Sequence, residues 1–446
     1  MKTKILAYLD SPTCATGFGN VAKNVLGILH ATGKYEIEIF GINYHGMPSP
    51  YQKIYNIWPA MDVVEGDPYG RKRFCQHALQ SEFDILFIIQ DSFIVDFLPE
   101  LIPALNKQMN DSNVKRKPFK SIMYYPTDSI IKPLWYYNMS FVDKLVSYTE
   151  FGIEEAKLAA KELEQMVPDT SKNKINFESV NNIDVIYHGF NETDFFPLKA
   201  QDIQEFRRHY FKSHADDFIF MNINRNQQRK DIPRTLVAFK EFKKLRPKSL
   251  LYLHMAKKDQ GWDIAELCKG LNLHIGVDVV LPDKFEPNQG YPVEVVNMLY
   301  NSVDCGISTT TGEGFGLQWL EFMACNKPVI MPNNTAMAEL ITKDVGYLVK
   351  SGSDLNLWTS IPNDNDIIRP LVDVNDLVSI MCEVYDNYDE AKIKSLKAFN
   401  WATDNFRWSG NIAKQWKTLF NTFVKDIKEE RSAITDDSNV IRVESF

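Results

Sequence analysis

Residues 303–324 switch from a short apolar run to helical spacing across a glycine-rich turn, and residues 218–242 repeat that order. Val303-Asp304-Cys305-Gly306-Ile307-Ser308 is partly β-branched and ends at the polar residues 309–312, which reads as a buried strand. After Glu313-Gly314-Phe315-Gly316, the residues Leu317, Leu320, Met323 and Ala324 recur on one helical face. Upstream, Phe218-Ile219-Phe220-Met221-Asn222-Ile223 leads through a polar turn at 224–231 into a helix bearing Leu236, Phe239 and Phe242. A chain that alternates this way builds a parallel α/β sheet.

Each turn carries groups suited to a sugar linked to phosphate. The first amides of a helix lack internal acceptors and sit at the positive end of its dipole, so a helix opened by Gly314, Phe315, Gly316 and Leu317 favours a phosphate or an electron-rich sugar oxygen. Glu313 stands just before that helix and Glu321 over a turn inside it, roughly 10 Å away at about 1.5 Å rise per residue. One carboxylate suits a sugar hydroxyl and the other a ribose. Arg225 and Lys230 project from the upstream turn, a planar fork and a compact point charge that would stabilise a departing diphosphate. Each feature also has a plain structural reading: Glu313 as an acid favoured by the helix dipole, Glu321 as a solvated helix residue, and the basic pair as a surface loop.

Taken together, these residues resemble the retaining GT-B glycosyltransferases of glycosyltransferase family 4. Arg225 and Lys230 match the arginine-x4-lysine spacing with which that family grips the donor diphosphate. Glu313 and Glu321 match its E-x7-E signature, including the intervening Gly-Phe-Gly-Leu. Ile186-Tyr187-His188-Gly189-Phe190-Asn191, with Phe196-Pro197, looks like its interdomain segment, and Lys327-Pro328-Val329-Ile330, Glu339 and Gly346-Tyr347-Leu348-Val349 continue the pattern. The resemblance covers about residues 185–350. It implies two Rossmann-like domains with parallel sheets facing an interdomain cleft and a carboxyl-terminal helix that crosses back to the amino domain. The expected division is residues 1–188 for an acceptor-binding domain and 189–399 for a donor domain. A helix at 400–428 would pack on the first domain, and 429–446 would form a polar, frayed tail.

The amino half fits the same class. Ile5 to Leu9 reads as a strand, and Val21, Val25, Ile28 and Leu29 as a helix face, with Gly17 and Gly19 in the loop between them. In GT-B enzymes that loop faces the donor phosphate; its plain alternative is a tight turn. Further strand-like runs are 37–42, 85–89, 121–125 and 144–147. Ligands collect beyond the carboxyl ends of parallel strands, which makes Asp91 and Asp128 catalytic candidates on the acceptor side, or else strand-end caps. Phe285 belongs to the stretch from Leu281 that would lie near the donor base.

Composition excludes several other classes. The 446 residues exceed the usual size of one core, and 44 % apolar with 24 % charged residues is ordinary for a globular chain. Cys14, Cys75, Cys268, Cys305, Cys325 and Cys382 show no paired CxxC spacing, so neither a zinc site nor a disulfide framework is indicated. The apolar run at the amino end is too short for a signal peptide and no run spans a bilayer, so cytoplasmic residence is expected. A net charge of −8 argues against broad coating of nucleic acid. Asp364-Asn365-Asp366 is a DXD-like triplet that would hold a cation in the other large glycosyltransferase fold; lying outside both glycine-rich loops, it reads as a solvated turn.

The function expected is metal-independent, retaining transfer of a sugar from a nucleoside diphosphate to a glycan, lipid-linked or small-molecule acceptor, without a further cofactor. Two alternatives are transfer to a modified base of DNA, suggested by Lys115-Arg116-Lys117 and Lys120, and a nucleotide-sugar-binding protein without transfer. A sugar-nucleotide hydrolase or epimerase on the same scaffold is a third. Residues 150–178 read as a charged surface helix and loop. Trp401, Phe406, Trp408, Trp416 and Phe420 read as a core stripe along the crossing helix.

Overall fold

The strand Ile85–Ile89 is apolar and buried at all five positions, as a strand covered by helices on both faces must be. It sits at the centre of a seven-stranded sheet in the computed structural model, which describes residues 2–111, 113–114, 116–168, 175–286 and 290–440, with side chains to 433. The strands are β1 (Thr3–Asp10), β2 (Tyr35–Ile42), β3 (Asn56–Pro59), β4 (Ile85–Ile89), β5 (Lys120–Tyr125), β6 (Lys144–Ser147) and β7 (Asp184–Val185). Their order is β3-β2-β1-β4-β5-β6-β7, with every pairing parallel.

A second sheet contains β8 (Phe218–Asn222), β9 (Ser249–Leu253), β10 (Val279–Val280), β11 (Cys305–Ile307), β12 (Val329–Pro332) and β13 (Tyr347–Val349). Its order is β10-β9-β8-β11-β12-β13, again parallel throughout. The central strand β8 is followed by the helix Ile232–Leu245, which buries Leu236, Phe239 and Phe242. Its neighbour β11 is followed by the helix Leu317–Ala324, which buries Trp319, Leu320 and Met323. Both strand-turn-helix passages therefore lie side by side in the middle of one sheet. A small antiparallel hairpin, β14 (Trp358–Ser360) and β15 (Ile368–Pro370), completes the strands.

The chain forms two units. One comprises Met1–Thr127, Ile131–Tyr187 and Ile412–Phe446; the other comprises Asp128–Ile130 and His188–Asn411. The aromatic stripe expected along a single crossing helix is divided between them. Trp401, on the helix Tyr388–Asn405, packs 6.0 Å from Trp319, and Phe406 packs 5.5 Å from the same ring, all within the second unit. Trp416 and Phe420, on the helix Ala413–Val440, lie 5.7 and 5.3 Å from Phe87 in the first unit, and Trp416 is 4.8 Å from Tyr124. Gly410 breaks the helical path between them with non-helical angles. The last helix also runs on to Val440 instead of fraying at Lys428. Glu430 pairs with Lys120, and Arg431 reaches Asp84 at 2.6 Å, so this polar segment is tied to the first unit by charge. Residues 441–446 lie outside the described residues.

The charged stretch at 150–178 contains the amphipathic helix Glu150–Met166, capped by Thr149, with Ile153, Ala156, Ala159 and Leu163 turned inward. Residues 169–174 lie outside the described residues. No helix among the described residues is long and apolar enough to cross a membrane.

Candidate functional site

The polar turn after β8 and the threonine-glycine turn after β11 are stitched together within the second unit. Thr309 donates through Oγ1 to the Asp231 carbonyl at 2.8 Å, and the Thr311 amide donates to the Arg229 carbonyl at 2.8 Å. Arg229 Nη1 returns to the Gly312 carbonyl at 2.7 Å. Asn224 Nδ2 donates to Ser308 Oγ at 2.8 Å and its Oδ1 accepts from Gln318 at 3.3 Å. These bonds gather beyond the ends of adjacent parallel strands, where backbone groups have left the ladder and need other partners.

The stitching delivers Lys230 to Glu313. Their side chains form an ion pair across 83 residues of sequence and are only 7 % and 5 % exposed. Burial would push the Glu313 carboxyl up, but Lys230 and Arg229 outweigh it and hold Glu313 below its usual range. Burial and the adjacent Arg229 charge bring the Lys230 ammonium down to about 8, against the pull of Glu313. The Glu313 amide donates to Thr335 Oγ1 at 3.0 Å, which fixes the backbone at the same point.

Around this pair lies a ring of charge that sequence reasoning reached only in part. Asp128 sits 3.5 Å from Arg229 Nε and 3.3 Å from Arg369 Nη2, and its carbonyl accepts from Arg369 Nη1 at 2.8 Å. Burial raises its carboxyl, yet the two guanidinium groups hold it below the usual range. Gly312 allows this approach: a Cβ there would overlap the Asp128 carbonyl. Arg369, itself 3 % exposed, also pairs with Asp364. The DXD-like triplet is therefore no solvated turn at its first position; Asp364 neutralises a buried arginine. Among the described residues no group of three or more His, Cys, Asp or Glu is arranged to hold a metal ion.

Arg225 points elsewhere. Its Nε and Nη2 donate to the two carboxylate oxygens of Asp259 at 2.7 and 3.2 Å. Glu321, one helical turn beyond Gln318, accepts from the hydroxyl of the fully buried Tyr300. Thus Lys230 and Glu313 meet directly, Arg225 and Glu321 do not, and the Asn224–Gln318 bond joins the segments that carry the latter two.

The helix opening is governed by Gly316, whose φ of +77° marks a left-handed turn suited to glycine. Gly314, Gly316 and Leu317 line the entry to that helix. Phe315, expected on the donor side through its backbone, buries its ring 4.7 Å from His188 and 5.4 Å from Trp319. Phe285 is partly buried 5.1 Å from His254 and 5.8 Å from Tyr291.

The remaining sequence candidates belong to the first unit. Gly17 opens the helix Gly17–His30, and the Gly19 amide donates to the capping Thr16 hydroxyl at 2.9 Å. Thr16 in turn donates to the buried Asp10 at 2.7 Å. Asp91 follows β4 at its carboxyl end, partly buried. The basic run suggested for a polyanion is largely consumed by internal contacts. Arg116 donates to the Ala78 and Leu79 carbonyls, Lys117 lies 4.0 Å from Glu82, and Lys120 pairs with Glu430; Lys115 lies outside the described residues.

Sequence reasoning missed Arg229, Asp259, Tyr300 and Arg369. Arg229 and Asp259 each lie in a strand-to-helix loop, after β8 and β9, where charged residues are worth noting. Tyr300 and Arg369 carried no local signal.

Glu321 gives the site a pH dependence. Burial pushes its carboxyl up to about 7 from 4.5, with the Tyr300 hydroxyl pulling the other way. A folded-state value above the unfolded one means that ionisation costs stability as pH rises from about 4.5 through 7. Glu321→Gln, which keeps an acceptor for Tyr300, should therefore raise the thermal midpoint at pH 8 more than at pH 5. Equal midpoint shifts at the two pH values would contradict this.

The two parallel sheets and the paired strand-turn-helix passages define a GT-B fold, and solved structures share it. Sucrose-phosphate synthase from Thermosynechococcus elongatus aligns with a TM-score of 0.67 at 16 % identity, over 96 % of this chain and 100 % of its own. HepE of Anabaena, in complex with UDP-glucose, gives 0.62 at 15 % identity over 94 % and 99 %. The α,α-trehalose 6-phosphate synthase from Burkholderia multivorans gives 0.62 at 12 % over 97 % and 99 %. No curated protein matches in sequence. Residues 286–361, which include Glu313 and Glu321, match the family model described as Glycosyl transferases group 1. The fold is thus of the GT-B type, and residues 286–361 are similar to glycosyltransferases of group 1.

Proposed function

We propose that this protein is a retaining, metal-independent glycosyltransferase of the family 4 type that moves a sugar from a nucleoside diphosphate to an acceptor hydroxyl. The observation that carries this reading is the buried Lys230–Glu313 pair at the junction of a polar, basic turn and a threonine- and glycine-rich turn. A buried lysine next to a helix entry supplies positive charge where a diphosphate leaves, and the adjoining carboxylate is placed to hold a sugar hydroxyl. Arg225 adds a second cation, and the amides opening the helix Leu317–Ala324 add fixed dipoles. Glu321 takes the ribose. Asp128 and Arg229 border the pair, and Asp91 is the acceptor-side candidate of the first unit. With lysine and arginine stabilising the leaving group, no divalent cation is required.

HepE was solved with UDP-glucose, which makes that compound the first donor to try. Purified protein is incubated with a panel of nucleoside-diphosphate sugars, with and without saccharide acceptors and with EDTA throughout, and release of nucleoside diphosphate is followed. Acceptor-dependent release supports transfer, and an α-configured product from an α-configured donor supports retention. Release that ignores every acceptor supports a hydrolase, and donor binding without release supports a non-catalytic protein.

A further inference from the structure

We infer that Asp259 is a positioning residue that holds the Arg225 guanidinium in the orientation in which it meets a nucleoside diphosphate. The inference rests on the donor site proposed above and adds to it a residue from a third loop.

Asp259 lies on the loop 254–263 between β9 and the helix Ile264–Leu271. Its carboxylate is 10 % exposed and takes the Nε edge of Arg225 in a two-point bond, at 2.7 and 3.2 Å. A guanidinium has five N–H groups in one plane. The two-point bond uses one on Nε and one on Nη2, so both on Nη1 and one on Nη2 remain, and none of these has a partner among the described residues. The Arg225 side chain is 35 % exposed. The plane of the fork is thus fixed from one edge while the opposite edge stays available to an anion with matching paired oxygens, as in a phosphate.

A single exposed ion pair would not fix anything, because long side chains lose the geometry to entropy. This loop is fastened independently. Asn226, fully buried beside Arg225, donates to the Trp262 carbonyl at 2.7 Å and the Ala256 carbonyl at 3.2 Å, and accepts from the Trp262 amide at 3.0 Å. Gln227 donates to Gln260 at 3.0 Å. The residues that follow Arg225 are therefore bonded to residues on both sides of Asp259, and the ion pair is held between two fastened backbones. Two opposite signs of effect are conceivable for such a carboxylate: it either aims the cation or competes with the ligand for it. The edge-on geometry decides for aiming, since the competing role would place Asp259 against the outward edge.

The test is calorimetric binding of UDP, GDP and ADP, with the matching monophosphates as controls, to the full chain and to Arg225→Ala, Asp259→Ala, Asp259→Glu and the double alanine variant. For the nucleoside diphosphate that binds best, Asp259→Ala should weaken affinity about tenfold, and the double variant should be no weaker than Arg225→Ala alone. Asp259→Glu should recover part of the loss, and monophosphate affinity should move less. Thermal midpoints identify any variant that fails to fold, in which case Asp259→Asn, which keeps the volume and loses the charge, takes its place. Unchanged or tighter diphosphate binding in the Asp259 variants overturns the inference while leaving the donor site standing. Additive losses in the double variant also overturn it. If none of the three diphosphates binds the unaltered protein, the proposed function falls, and this inference with it.

Discussion

Lys230→Met should lower turnover of the preferred nucleotide sugar by about a hundredfold or more, the cost of roughly 3 kcal/mol for removing one charge at a developing diphosphate. Methionine keeps most of the lysine volume, so the packing around the stem survives. What it leaves behind is a carboxylate at 313 that is 5 % exposed and has lost its ammonium partner. Arg229 remains 3.5 Å away, but a buried charge that loses its nearer partner is destabilised, which would confound activity with folding. The double variant Lys230→Met/Glu313→Gln separates the two. It should regain thermal stability relative to Lys230→Met, because the buried carboxylate that had lost its ammonium is gone, and remain as slow. Initial rates and melting curves on the same preparations check both statements, and a double variant that regained turnover would remove Lys230 from the mechanism.

Arg369→Met should destabilise the second unit by about 3 kcal/mol without directly touching the Lys230–Glu313 pair. Arg369 is 3 % exposed and serves two carboxylates, Asp128 and Asp364, as well as the Asp128 carbonyl. Its loss leaves two acids with one fewer cation, and the segment Asp128–Ile130 loses its main anchor over Gly312. Denaturant unfolding of the variant measures the cost. The midpoint should fall most at neutral pH and recover on acidification, since protonating Asp128 and Asp364 relieves the unpaired charge; a pH-independent loss would point to packing alone.

Fold class was legible where periodicity was strong. The runs at 85–89 and 218–222 are apolar at nearly every position, and only a strand covered on both faces is written so. The helix after Gly316 was legible for a different reason: glycine at a left-handed turn, then apolar residues at helical spacing, is a local signature. β3, β7 and β10 were not visible, being edge strands of only four, two and two residues, too short to show an alternation. The aromatic residues from Trp401 to Phe420 read as one stripe because spacing cannot show that Gly410 breaks the helix and sends the two halves to different cores.

In the site, spacing picked out Lys230 and Glu313, which the structure joins, and Arg225 and Glu321, whose partners are Asp259 and Tyr300. It could not show that Asp364 belongs to Arg369, or that Phe315 turns inward against His188. By itself the sequence determined the alternation of strand and helix and the turns at which charged groups emerge, because both are set by neighbours within a few residues. Which acid faces which base was decided only by the tertiary structure. Lys230 and Glu313 stand 83 positions apart, and Asp128 and Arg369 stand 241 apart, and they pair because adjacent parallel strands and a glycine-wide gap bring them within a few ångströms. Coulomb energy depends on that through-space distance and on burial, neither of which is written in local spacing.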